Sequence, residues 1–203
     1  MNRLVLAAIC MAVLVTPAGA ETRDVRGFDA VAVSDQIRVE IVVGGDYSVS
    51  VTGRDAARVS TEVEDGALKI RQRNRPWFGS NRLDATVRIT MPELESVAAA
   101  RGAELSATGV SAISFEIAAA MGAEVRVSGT CRSLDAAAAM GATVRADELR
   151  CETADVAASM GGSAQVYASQ SYEGAASMGG TINISGEGAS RGHSTAMGGT
   201  IND

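Results

Sequence analysis

The chain has 203 residues, of which 46% are hydrophobic, 21% charged and only 3% aromatic, with 22 glycines and a formal net charge of −6. That length suits one globular domain or two small ones, and a core poor in aromatics points to thin stacked layers. A single histidine, His193, and three cysteines exclude several multi-histidine metal sites and disfavour a histidine-based catalytic triad.

The N-terminus comes first in chain order. Arg3 precedes an apolar run from Leu4 to Val15, which ends in Ala18-Gly19-Ala20. This is the three-part pattern of a secretory signal peptide, with an apolar stretch too short to span a bilayer comfortably. Residues 1–20 are therefore expected to be removed, leaving a mature chain with no transmembrane segment, exported to the periplasm, the cell surface or the medium. Removal takes away Arg3 alone among charged groups, so the mature balance is 18 − 1 = 17 basic against 24 acidic residues, or −7. An acidic exported chain without basic runs argues against nucleic acid as a partner.

Residues 21–92 read as short strands. The segments "FDAVAVSD", "IRVEIVVG", "YSVSVTG", "ALKIRQR" and "DATVRITMP" alternate apolar and polar residues and are broken by "GGD", "TGRD" and "EDG". Alternation with such punctuation is the signal of half-buried strands and turns. Within them Arg71, Arg73, Arg75, Trp77 and Arg82 crowd into twelve residues. Two readings stay open: a hairpin loop whose Trp77 packs on a neighbouring layer, or an exposed loop that meets an anionic glycan or membrane surface.

Residues 93–203 carry an internal repeat. The glycines of "AAARGAEL", "AAAMGAEV", "AAAMGATV", "AASMGGSA", "AASMGGTI" and "STAMGGTI" are Gly102, Gly122, Gly141, Gly161, Gly179 and Gly198, with steps of 20, 19, 20, 18 and 19 residues. A fixed period of this length is a solenoid signature. Columns aligned on these glycines alternate: Leu105, Val125, Val144, Ala164, Ile182 and Ile201 are followed by the mostly polar Ser106, Arg126, Arg145, Gln165, Asn183 and Asn202. Period two means strands with one face inward. The alanine runs are too short, and too promptly ended by glycine, for helix. The expected fold is thus all-β, a parallel β-helix or solenoid with coils of about 19 residues. The N-terminal strands either start it with looser coils or cap it.

These residues also resemble a known family. "VRGFDAVAVSDQIRVEIVVGGDYSVSVTG", "LKIRQR", "VRITMPELESVAAARGAEL" and the terminal "GGTIND" are similar to the head GIN domain family, whose name records an inferred auto-transporter adhesin role. The resemblance covers residues 25–203 and implies an exported bacterial protein with a right-handed β-helical fold, no enzymatic activity and no cofactor. Methionine before the turn glycine, in five of six units, departs from the small residue usual in the family.

Several columns are candidates for function. Glu116, Asp135, Asp155 and Glu173 stack as a carboxylate ladder, read either as a solvated face or as a site for a cationic partner. Paired carboxylates on a β-helix also raise a carbohydrate-active enzyme as a rival. Met121, Met140, Met160, Met178 and Met197 form a second column, expected to fill a corner of the core as flexible apolar side chains; capture of a soft metal is the minor alternative. No resident metal is expected. Ala98, Ala118, Ala137, Ala157 and Ala175, with Ala100, Ala120, Ala139, Ser159 and Ser177, are small, as if on both faces of a strand, so something should lie against them. Cys131 and Cys151 fall in one column of adjacent coils and are expected to form a disulfide.

The function expected is that of a non-enzymatic, adhesin-like module of the cell envelope. Its partner would be an envelope polymer, glycan or protein, engaged through the carboxylate ladder or through Arg71, Arg73, Arg75 and Trp77. A purely structural, self-assembling module is the remaining rival, with homo-oligomer contacts through the Ala/Ser face or the C-terminal edge.

Overall fold

A computed structural model describes residues 20–73 and 83–203. The segment up to residue 19, expected to be a signal peptide, lies outside the described residues, as do Arg75, Trp77 and Arg82.

Fifteen strands form one sheet, and no α-helix occurs among the described residues. In chain order they are β1 (Glu21–Arg23), β2 (Ala30–Val33), β3 (Arg38–Val43), β4 (Ser48–Thr52), β5 (Val59–Glu64), β6 (Ala67–Gln72), β7 (Thr86–Met91) and β8 (Ser96–Ala100). There follow β9 (Glu104–Ala120), β10 (Glu124–Ala139), β11 (Thr143–Ser159), β12 (Ser163–Ser177), β13 (Thr181–Ser185), β14 (Ala189–Ala196) and β15 (Thr200–Asn202). The expected solenoid is present, with one long bent strand per coil in its middle part.

Strands β9 to β12 stack in parallel, coil on coil, with Glu116, Asp135, Asp155 and Glu173 in direct register. Inward columns bury Phe115, Leu134, Ala154 and Tyr172, and beside them Leu105, Val125, Val144, Ala164 and Ile182. Val97, Ile117, Ala136 and Val156 follow, and the inward column nearest the corner is alanine throughout: Ala99, Ala119, Ala138, Ala158 and Ala176. The core is therefore thin here and widest near the N-terminal strands, where Phe28, Ile37, Ile41, Leu68, Ile70 and Leu94 are fully buried.

Each coil reverses at a tight corner. Met121 and Gly122 have φ of 53° and 73°, and Ala123 N–H donates to the Ala120 carbonyl at 3.2 Å. Two left-handed central residues closed by that bond make a type I′ turn, in which glycine at the second position escapes the Cβ penalty. Corners also bond to one another: the Gly122 N–H donates to the Met140 carbonyl and the Gly141 N–H to the Met160 carbonyl, both at 3.1 Å. Further along, coils close more tightly. A Cβ on Gly162 would lie 2.3 Å from the Ala138 carbonyl oxygen, whereas Ala123 and Ala142 occupy the same column in earlier coils.

The methionine column does not fill the core. Met121, Met140, Met160 and Met178 are 44–49% exposed and Met197 is 81% exposed. Strand alternation from the buried Ala119 would point Met121 inward. The left-handed pair breaks that alternation at the corner and turns the side chain out.

The alanine columns also lie differently from the sequence expectation. Ala98 with its column and Ala100 with its column are two residues apart, so both look outward on one face; the small inward column is that of Ala99.

The N-terminal strands both start the solenoid and close it. β2 and β3 form a coil that pairs in parallel with β8 and β9 on one side and with β6 and β7 on the other. The coil made of β2 and β3 thus sits between two coils that follow it in sequence. On the outer edge, β5 runs antiparallel to β6, β4 antiparallel to β7, and β1 antiparallel to β4. These strands cover the parallel edge that would otherwise be free to pair.

Cys131 and Cys151 are directly opposed, with Cα atoms 4.5 Å apart, and form the expected disulfide across a separation of 20 residues. Both face the interior. Replacing both by alanine should lower stability by on the order of 3 kcal/mol, measured by urea unfolding of the oxidised parent and the variant. A second prediction concerns the corner: Met160→Asn, which suits a left-handed position better, should keep or raise the melting temperature. A clear fall would show that the methionine side chain itself holds the fold.

Candidate functional site

The surface best organised for recognition is the outward face of the strands that run into the corners. Two columns of small residues lie side by side, Ala98–Ala118–Ala137–Ala157–Ala175 and Ala100–Ala120–Ala139–Ser159–Ser177. Five coils at a spacing of about 4.8 Å make this strip about 19 Å long. The carboxylate column borders it on one side and the methionine corners on the other.

At its N-terminal end the strip opens into a largely apolar groove of about 560 Å³, lined by Ala98, Ala118 and Ala137 together with Ile70, Lys69 and Arg71. Arg71 and the alanine face are thereby brought together. Sequence reasoning missed this because β2 intervenes between β6 and β8 only after the out-of-order pairing of the first coils. Arg71 itself pairs with Glu62, an exposed carboxylate held below its ordinary range by the Ser60 hydroxyl and then by Arg71. The Arg73 backbone N–H bonds to the Arg58 carbonyl at 2.6 Å, and the Arg73 side chain does not line the groove. Arg75 and Trp77 lie outside the described residues.

The carboxylate ladder is outward and in register, as its spacing implied. Like charges about 4.8 Å apart repel, at an exposed site by a modest amount. One countercharge is visible: Arg191 reaches Asp155 at 3.0 Å from a bulge between Ser190 and Gly192. That bulge shifts the register in the last coil, so no column alignment could assign Arg191 to the ladder. Among the described residues, no three His, Cys, Asp or Glu side chains converge to hold a metal ion.

On the other side of the corners, charges alternate instead. Arg88 pairs with Glu40 at 2.8 Å, Arg38 with Glu104 at 2.7 Å, and Glu124 lies 2.6 Å from Arg126 and 3.6 Å from Arg145. Exposed pairs of this kind contribute little individually, but with four arginines against three glutamates no like charge accumulates there as it does on the carboxylate ladder.

The last coil is held by a small polar cluster. The Tyr172 hydroxyl donates to the Asp203 carboxylate, His193 stacks on the Tyr172 ring with centroids 5.5 Å apart, and His193 Nε2 lies 3.8 Å from the same carboxylate.

Fold and surface together define a class, that of a β-solenoid with periodic outward columns. The chain belongs to the family described as "Putative auto-transporter adhesin, head GIN domain", which matches residues 27–188. Solved structures agree in fold. A protein from Bacteroides fragilis described as a putative adhesin is 15% identical, with 90% of this chain and 95% of that chain covered and a TM-score of 0.61. Another so described, from Parabacteroides merdae, is 12% identical over 91% and 95%, with a TM-score of 0.51. No curated protein matches the sequence. No helix among the described residues is long and apolar enough to cross a membrane.

The terminal cluster gives a pH prediction. The hydrogen bond to Asp203, then burial, then the carboxylate charge raise the Tyr172 pKa above its ordinary value of 10.0. The unfolded tyrosine loses its proton first, so this contribution to stability is complete below about pH 10 and lost as pH rises through the higher folded value. Alkaline titration should loosen the last coil, seen as faster amide exchange in residues 189–203. Tyr172→Phe, which has no proton to lose, should abolish that step.

Proposed function

We propose that the protein is an exported, non-enzymatic binding module of the cell envelope that engages an extended polymer, a glycan chain or a protein segment, along the small-residue strip. The observation that carries this reading is the unbroken register of the outward column Ala98–Ala118–Ala137–Ala157–Ala175 over five coils, with the second small-residue column two residues further along the same strands. Side chains no larger than alanine or serine let a flat partner approach the backbone closely, and the strip matches about six residues of an extended peptide at about 3.3 Å each. The groove at its end, with Lys69 and Arg71 on the rim, supplies an anchoring point for an anionic or polar terminus. Membership in an adhesin-named family and the leader-like N-terminus support the same reading.

The test is a binding screen of mature protein against envelope glycans and surface proteins by biolayer interferometry, repeated with Ala137→Arg/Ala157→Arg. A guanidinium group on each of two central coils should weaken any bound partner at least about tenfold while leaving the melting temperature unchanged. A partner indifferent to these substitutions would place recognition elsewhere. Polysaccharide cleavage that disappears in Asp135→Ala or Asp155→Ala would instead establish the enzymatic rival.

A further inference from the structure

The methionine column has no folding rationale of its own. Of the eight methionines in the chain, Met1 and Met11 stand in the leader, Met91 is fully buried, and the remaining five occupy successive corners. At those corners the four interior methionines and Met197 adopt φ between 47° and 53°. A left-handed backbone favours glycine, asparagine or aspartate and disfavours a long side chain. The same position in the preceding coil is Arg101, with φ of 56°, so the corner makes no demand for an apolar group. Nor does burial explain the choice, because these side chains are among the most exposed hydrophobic groups of the molecule.

What the five share is a thioether and a fixed neighbour. Hydrogen bonds from Gly122 N–H to the Met140 carbonyl, Gly141 N–H to Met160 and Gly161 N–H to Met178, each of 3.1 Å, pin one methionine backbone above the next. Backbones so stacked are about 4.8 Å apart. Exposure falls from 81% at Met197, in the last coil, to 44–49% at the four methionines that have a further coil stacked beyond them. Three rotatable bonds per side chain let sulfurs from two or three adjacent coils converge on one point. A neutral, polarisable, sulfur-only ligand set of this kind selects a soft monovalent cation over Zn(II), Mg(II) or Ca(II). Cys131 and Cys151 offer no competing thiolate, being joined in the disulfide.

We propose that the exposed methionine column is a binding site for Cu(I), coordinated by thioether sulfurs of neighbouring coils among Met121, Met140, Met160 and Met178. Coordination replaces solvent or buffer ligands on the ion and involves no electron transfer. The site is separate from the small-residue strip, and it stands or falls independently of what that strip binds.

The experiment uses the mature, disulfide-bonded protein. Cu(I) is offered anaerobically in competition with a chromophoric chelator, and Ag(I), a redox-inert probe of the same preference, is added to protein labelled at the methionine methyl groups. Expected are withdrawal of Cu(I) from the chelator and Ag(I)-dependent shifts of the Met121, Met140, Met160 and Met178 methyl resonances, with Met91 unmoved. Met121→Leu/Met140→Leu/Met160→Leu/Met178→Leu, which keeps the apolar bulk and removes sulfur, should lose Cu(I) uptake at an unchanged circular dichroism spectrum. His193→Ala should keep it. Failure of the parent to compete, uptake equal in the leucine variant, or Ag(I) shifts absent from the four methyl groups would each overturn the assignment. The methyl shifts decide the matter in the parent protein even if the fourfold variant does not fold.

Discussion

The constraint on which the rest of this structure depends is the registered stacking of one coil on the next. Parallel coils satisfy their backbone groups only by bonding to the coils above and below, at a separation that backbone geometry fixes. A buried donor or acceptor left without such a partner costs about 1–3 kcal/mol, comparable to what burying a whole apolar side chain returns. Corners must therefore superpose, and the bonds from one corner glycine to the carbonyl of the next methionine show that they do. Coils nevertheless differ in length. The differences are absorbed away from the corners: the register shifts between Val127 and Gly129, between Arg126 and Gly129 and between Ala146 and Thr153, and in the last coil at the Arg191 bulge. The strip leading into the corners keeps its register throughout.

Stacking turns every residue choice into a column. An inward alanine repeated coil after coil leaves a thin core and limits how much apolar surface the repeats can bury, which is where a buried disulfide between adjacent coils contributes most. An outward acid repeated four times accumulates like charge, relieved in one place by Arg191. An outward methionine repeated five times concentrates thioethers that would be inconsequential singly. The fold thus multiplies the chemistry of a single position, and its functional surfaces are linear, extending along the stack and not enclosed in a cleft.

The two ends solve the edge problem differently. At one, antiparallel β1, β4 and β5 cover the first parallel coils, over the largest buried side chains of the molecule. At the other, β14 is exposed along nearly its whole length and the coil is held by the Tyr172, His193 and Asp203 cluster. The last coil thus depends on a polar cluster that includes the Tyr172 hydroxyl, and the first on apolar packing.

The period, the inward and outward columns other than the alanine ones and the opposed cysteines were legible in the amino-acid sequence, because each follows from local alternation repeated at a fixed interval. Leu105, Val125, Val144, Ala164 and Ile182 read as inward, and Ser106, Arg126, Arg145, Gln165 and Asn183 as outward, from period two alone. The direction of the methionines was not legible, since a left-handed corner breaks alternation where extrapolation would carry it through. The groove beside Arg71 was hidden for another reason: the coil of β2 and β3 inserts between coils that come later in the chain, and non-local pairing leaves no periodic trace. Arg191 escaped because a bulge displaces it from its column. By itself, then, the sequence determined the solenoid and the composition of its ladders, both being properties of one repeat. Tertiary structure alone decided which ladders meet, which face solvent at the corners and where the groove opens, because those depend on how separate coils stack.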